Sequence, residues 1–266
     1  MKTRVISAAI VLAIFIPIFL IGGNLFNIAV YILSLLGIKE FIDAKNTKKE
    51  VPTFIRFICY AMITLLVLTN TSQQDIVFTT DYRIIAGLFL ALLTPTVLYH
   101  DQKKYSPVDA FYFIGGIFFL GTTFSLIMLL RNQGINYIIY LFLITIMTDT
   151  FAYITGLLIG RNKLLETVSP KKTWEGMIGG TTMGTFISTV FYLTVIDPTK
   201  SIWLIVLVSM FLSIIGQFGD LAFSSIKRYF GKKDFSNIMP GHGGVLDRLD
   251  STIFVLLGFM FVITII

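Results

Sequence analysis

Nine apolar runs alternate with short polar segments along the whole chain, and a lipid bilayer is the solvent that suits such a pattern. The runs fall at roughly 5–21, 24–38, 54–70, 83–99, 109–130, 136–160, 176–196, 201–223 and 250–266. A spanning helix needs about 20 predominantly apolar residues, and the second and last runs are short for that. Only 14% of the 266 residues are charged, against about 25% in a soluble domain. The predicted fold is all-α: a polytopic integral membrane protein of about nine transmembrane helices.

Lys2 and Arg4 ahead of the first run resemble the start of a signal peptide. No small-x-small cleavage site follows, and a second run starts at once at Leu25, so the first run is read as a retained span. With the N-terminus in the cytoplasm, only Arg83, Arg131 and Lys200 of the 21 Lys and Arg fall in outer segments. That asymmetry is the positive-inside pattern. Residues 1–140 then form N-terminal and middle helices of about five spans. Residues 141–266 form a catalytic region of about four, with cytoplasmic loops 161–175 and 224–249. The single cysteine, Cys59, sits in an apolar run and excludes an intrachain disulfide.

Some polar residues need a reason to be in lipid. Asp149 lies inside the sixth run, and on a helix it shares a face with Tyr153, Gly156 and Gly160, as a cavity lining would. Asp220, near the end of the eighth, shares a face with Gly216, Ser224 and Lys227. The alternative for each is a structural partner to a basic residue. Gly176, Gly180, Gly184 and Ser188 recur every four residues, a small-residue stripe read as helix packing.

Residues 224–251 carry the densest chemistry. Lys227, Arg228, Lys232 and Lys233 come first. Pro240-Gly241-His242-Gly243-Gly244 follows, whose glycines permit positive φ and leave N–H groups open to an anion. Asp247, Arg248, Asp250 and Ser251 then open the last helix. Carboxylates that hold a hard cation, basic groups that neutralise phosphate and a Gly-rich loop suit a polyphosphate with a divalent metal. The loop before the seventh run adds Lys163, Ser169, Lys171, Lys172, Thr173 and Glu175, with Thr173 placed to cap that helix and Pro170 to set a turn. A plain positive-inside cluster would also contain Lys171 and Lys172. Asp250 also suits the helix dipole. His242 fits a base, a metal ligand or a phosphate contact.

The run Ser224-x-Ile226-Lys227-Arg228-x4-Lys233-Asp234-x-Ser236-x2-Met239-Pro240-x-His242-Gly243-Gly244-Val245-x-Asp247-Arg248-Leu249-Asp250 resembles the signature of the phosphatidate cytidylyltransferases over 27 positions. Met239 stands where the family usually has Leu, Ile or Phe. Asp149-Thr150-x-Ala152-Tyr153-x2-Gly156, Ser169-Pro170-Lys171-Lys172-Thr173-x-Glu175-Gly176 and Gly219-Asp220 resemble further family blocks. The resemblance implies transfer of CMP from CTP to phosphatidic acid, giving CDP-diacylglycerol and pyrophosphate. It implies Mg²⁺, with K⁺ as an accompanying cation, held by Asp220 and Asp247. Lys227, Arg228 and Arg248, with Lys171 and Lys172, would cradle the phosphates. Asp149 and Asp250 would hold or orient these groups. Ser169, Thr173, Ser224, His242, Gly243 and Gly244 complete the expected substrate contacts. A homodimer in the cell membrane with its site facing the cytoplasm is implied, and no nucleic-acid partner.

Two other classes fit less well. A secondary transporter would carry related halves and a midplane site, whereas the halves here are unrelated and the polar residues crowd into the last part of the chain. A CDP-alcohol phosphatidyltransferase would carry Asp-Gly-x2-Ala-Arg, and a P-loop lipid kinase would carry Gly-x4-Gly-Lys-Ser/Thr; neither pattern is present.

Overall fold

The computed structural model describes residues 2–70, 81–239, 241 and 243–265. The polar connection at 71–80 therefore lies outside the described residues. The described residues form nine α-helices, and these coincide with the nine apolar runs. They are α1 (Lys2–Ile21), α2 (Gly23–Asn46), α3 (Thr53–Asn70), α4 (Tyr82–Leu98), α5 (Pro107–Gln133), α6 (Ile135–Ile159), α7 (Trp174–Phe191), α8 (Ile202–Tyr229) and α9 (Leu246–Val262). A π-helical turn, Tyr192–Ile196, extends α7. Five helices (α2, α5, α6, α7 with its extension, and α8) are long and apolar enough to cross a membrane. The protein is a multi-pass membrane protein.

Two helices outrun their apolar stretches. α2 continues to Asn46, well past the expected end near Ile38, and α8 continues to Tyr229. The reason for α2 is that its charged last turns find partners. Glu40 is 1% exposed, and Lys45 reaches Asp109 at 2.6 Å. The 161–175 loop is not irregular either. It folds into an antiparallel hairpin of β1 (Lys163–Leu165) and β2 (Ser169–Thr173), with Lys163 opposite Thr173. Pro170 lies within β2, and residues 166–168 make the turn.

The chain divides into two compact units. The first comprises residues 1–133 and 230–248. Its centre is α5, whose Phe113, Ile117, Leu120, Phe124 and Met128 are buried against neighbours that include α2, α3 and α4. Polar pins fix the helix ends. Asp109, in the first turn of α5, binds Lys45 at 2.6 Å and also pairs with Lys49. The Tyr112 ring stacks on Phe41, with centroids 4.4 Å apart. At the opposite end of α5, the Arg131 guanidinium donates to the Phe19 and Leu20 carbonyls at 2.8 Å, where α1 ends. An arginine at the end of one helix is thus used to satisfy the orphan carbonyls of another.

The second unit comprises residues 134–229 and 249–266. Its tightest seam joins α6 to α7. The glycine stripe of α7 faces α6. A Cβ at Gly176 would stand 2.7 Å from the Ala152 carbonyl, and one at Gly180 would stand 2.7 Å from the Ala152 side chain. Gly156 of α6 looks back at Thr173 and Gly176, so it seats α7 rather than lining open space. Lipid tails offer no hydrophobic drive between helices, so close backbone approach and polar contacts carry the association. The polar contacts are Tyr140 with Ser209 at 2.8 Å, Thr148 with Ser213 at 2.7 Å, and Gln217 donating to Thr181 at 2.8 Å. Gly216 and Gly219 let α9 approach α8, since a Cβ there would meet Val255 or Phe254.

Gly180→Val is expected to overpack this seam, at a cost of about 1–3 kcal/mol. Gly115→Ala meets nothing within 4 Å and is expected to melt like the parent. Thermal unfolding in detergent compares the two; equal melting would mean that α6 and α7 do not meet through the stripe.

Candidate active site

β2 supplies the first element of the site. In β2, Lys171 is exposed while Lys172 is partly buried, and the pairing with β1 is irregular between Ser169 and Thr173. Lys172 Nζ lies 2.6 Å from Asp220 Oδ2. The strand ends at Thr173, whose hydroxyl accepts the Gly176 N–H at 3.1 Å and caps α7. That cap holds the hairpin at the head of α7, and with it Lys172.

α8 supplies the next residues on one edge. Ser224 Oγ donates to Asp220 Oδ1 at 3.2 Å, one turn on. Lys227 Nζ stands 4.0 Å from Asp250 Oδ2. Asp149 of α6 is near enough to interact with Lys172, Asp220 and the Ser251 side chain. Asp250 interacts likewise with Asp220, Lys227 and Asp149. Three carboxylates and two ammonium groups from α6, β2, α8 and α9 therefore share one locality in the second unit. The set is open: the Lys172 and Asp220 side chains are 26% and 29% exposed. The two lysines moderate the repulsion between the carboxylates. Among the described residues, no three His, Cys, Asp or Glu side chains are arranged to hold an ion on their own. The oxygen donors suit a small hard cation that takes its remaining ligands from phosphate or water, as Mg²⁺ does.

The other half of the signature segment lies in the first unit. Gly241 and Gly243 adopt φ of 78° and 83°, and the Met239 N–H donates to the Gly243 carbonyl at 3.0 Å. Asp247 is 8% exposed, and its Oδ2 accepts the N–H groups of Phe235 and Gly244, each at 2.8 Å. Gly243 admits no side chain, since a Cβ would sit 2.8 Å from that oxygen. The amide of Gly244, expected to stay open for an anion, is thus taken by Asp247. Those of Val245 and Leu246 are taken by Glu40 of α2, at 2.8 and 2.9 Å. The carboxylates fill the start of α9 because it presents orphan donors and the positive end of its dipole.

The expected residues separate accordingly. Asp149, Lys172, Asp220, Ser224, Lys227 and Asp250 come together. Lys171 and Arg228 are exposed, Ser169 is half-buried, and Thr173 caps α7. Asp247 and Arg248 belong to the first unit, with Arg248 exposed. His242 lies outside the described residues. Glu40 is the residue that sequence reasoning missed. Its signal was the apolar helical spacing of Gly37, Ile38, Phe41 and Ile42 around it, which carries the helix past Lys39 and places an acid on a buried face.

The chain matches the family model for the cytidylyltransferase family over residues 2–266. Proteins named phosphatidate cytidylyltransferase are similar to it over 96% of both chains. The one from Staphylococcus haemolyticus is 39% identical, one from Staphylococcus epidermidis 36%, and one from Staphylococcus aureus 37%.

The Lys172–Asp220 pair is partly buried and is expected to show a coupling of about 1 kcal/mol. A double-mutant cycle of Lys172→Ala and Asp220→Ala on thermal stability measures it. Strict additivity would mean that the two side chains do not meet.

Proposed function

The chain belongs to the cytidylyltransferase family, and on that premise we propose that it is a phosphatidate cytidylyltransferase, joining CTP and phosphatidate to give CDP-diacylglycerol and pyrophosphate. The observation that carries the reading is the meeting of Lys172, Asp220, Asp149, Asp250 and Lys227 at one locality. Such a set positions and neutralises phosphates, which is most of what nucleotidyl transfer asks of a protein. The names of the similar proteins supply the lipid substrate.

A phosphatidate oxygen attacks the α-phosphorus of CTP in line. The new P–O bond forms as the bond to the β-phosphate breaks, and pyrophosphate leaves with that electron pair. The attacking group is already an anion near neutral pH, so no strong general base is needed. Lys172 and Lys227 hold substrate phosphate oxygens and offset their charge, while the exposed Lys171 and Arg228 attract the polyanion. Asp220 would hold Mg²⁺, with K⁺ as an accompanying cation, and Asp149 and Asp250 orient the lysines. When bound, the ion screens the phosphate oxygens as negative charge moves onto pyrophosphate. Asp247, the other ligand the resemblance implies, belongs to the first unit and is tested by itself. The acyl chains stay in lipid. The membrane is the cell membrane, and the site faces the cytoplasm, where CTP is. This sidedness is supported by the positive-inside pattern and by the paired helix ends: α1 and α5 finish together at Arg131, and α2 finishes where α5 starts at Asp109. The working form is a homodimer, which mass measurement in nanodiscs tests.

Purified protein in mixed micelles is expected to make labelled CDP-diacylglycerol only when CTP, phosphatidate and Mg²⁺ are all present. Product formed without phosphatidate or without CTP would sink the proposal. Asp220→Asn and Asp247→Asn are each expected to lower kcat about 10²-fold. The Asn carbonyl at position 247 can still accept both N–H groups, so that variant removes charge and keeps the loop. Near-normal turnover of either variant would remove that residue from the ion site.

A further inference from the structure

Glu40 is an acid on a buried face of α2, 1% exposed. A carboxylate in such a place is strongly disfavoured unless donors satisfy its oxygens. Three donors do. Ser236 Oγ donates to Oε1 at 2.6 Å, the Val245 N–H to Oε1 at 2.8 Å, and the Leu246 N–H to Oε2 at 2.9 Å. All three come from the segment that runs from Ser236 to the start of α9. They are joined by the N-terminal dipole of α9, which favours a negative charge there. A carboxylate suits this position because it accepts on both oxygens and brings no N–H of its own. Glutamine would point an amide donor at one of these donors.

The same contact explains a glycine. A Cβ on Gly244 would stand 2.5 Å from the Glu40 carboxyl carbon and oxygen, closer than real Cβ contacts allow. The carboxylate occupies the space a side chain would need. Glu40 and Asp247 thus hold the two sides of one short stretch: Asp247 takes the amides of Phe235 and Gly244, and Glu40 takes those of Val245 and Leu246.

We infer that Glu40 is a positioning residue for the transfer reaction, fixing Ser236, Val245 and Leu246 and thereby the placement of Asp247 and Arg248 at the head of α9. It touches no substrate. It acts through the loop, and its loss frees the segment without opening the α2–α5 packing, which Lys45, Lys49 and Phe41 secure separately. The inference rests on the reading of this segment as part of the transferase site.

The test is Glu40→Gln, with Ser236→Ala as the milder cut, on purified full-length protein. A displaced site can lose about 10²-fold in rate from small misplacements. Glu40→Gln is expected to lower kcat by at least about tenfold. Its melting temperature is expected to stay near that of the parent, and faster amide hydrogen exchange to be confined to 236–246. Ser236→Ala is expected to lower kcat less, and to add little in the Glu40→Gln background, because both cut the same link. Parental kcat in Glu40→Gln would overturn the inference. So would a rate loss that merely tracks the fraction of folded protein, or exchange that rises throughout α2 and α5. Exchange reads the loop without any substrate. Confined exchange with no transferase activity even in the parent would therefore fault the functional reading and leave the tie to the loop in place.

Discussion

Charge placed in apolar surroundings must be answered locally, and the way each charge is answered sorts this protein into scaffold and chemistry. Some groups are saturated. Glu40 takes three protein donors, Asp109 takes two lysines, and Arg131 closes the last carbonyls of α1. These groups tie helix ends together and have little left to offer a ligand. The locality around Asp220 is different. Three carboxylates face two lysines there, the central pair is partly open, and among the described residues no ion site is complete on protein atoms alone. An unfinished balance of that kind is what a phosphate with its counter-ion can complete.

The helices beneath that locality meet by closeness. Glycines on α7 and α8 bring backbones together, and hydroxyl pairs such as Thr148 with Ser213 replace the hydrophobic drive that lipid cannot supply. Backbone contact leaves few rotamers to adjust, so the seam is stiff. A stiff seam suits a reaction that depends on holding anionic groups in line.

Much of this was legible in the sequence. Apolar length located the nine helices, because spans are set by bilayer thickness and backbone hydrogen bonding. The four-residue glycine period foretold close helix packing on α7, and the structure supplies the partner, α6. Asp149, Asp220, Ser224 and Lys227 stood out as polar groups on helix faces and Asp250 as an acid opening the last helix, and the structure brings them to one locality. What hydropathy could not show were contacts distant in sequence. Glu40 looked like the polar end of a short span, since its partners lie some 200 residues on and its satisfaction is visible only in three dimensions. Gly244 was read as an open amide for a different reason: its acceptor, Asp247, lies only three residues on but was assigned to an ion. The hairpin was read as a loop with a turn at Pro170, because two three- to five-residue strands leave almost no periodic signal.

That hairpin has a consequence for tolerance to change. Lys171 and Lys172 are chemically identical neighbours, yet one faces outward and the other meets Asp220. Their difference is set from the α7 side, where the Thr173 cap directly follows Lys172. The distance from Lys172 to the head of that helix is therefore as constrained as the chemistry of the pair, whereas the 166–168 turn lies at the other end of β2.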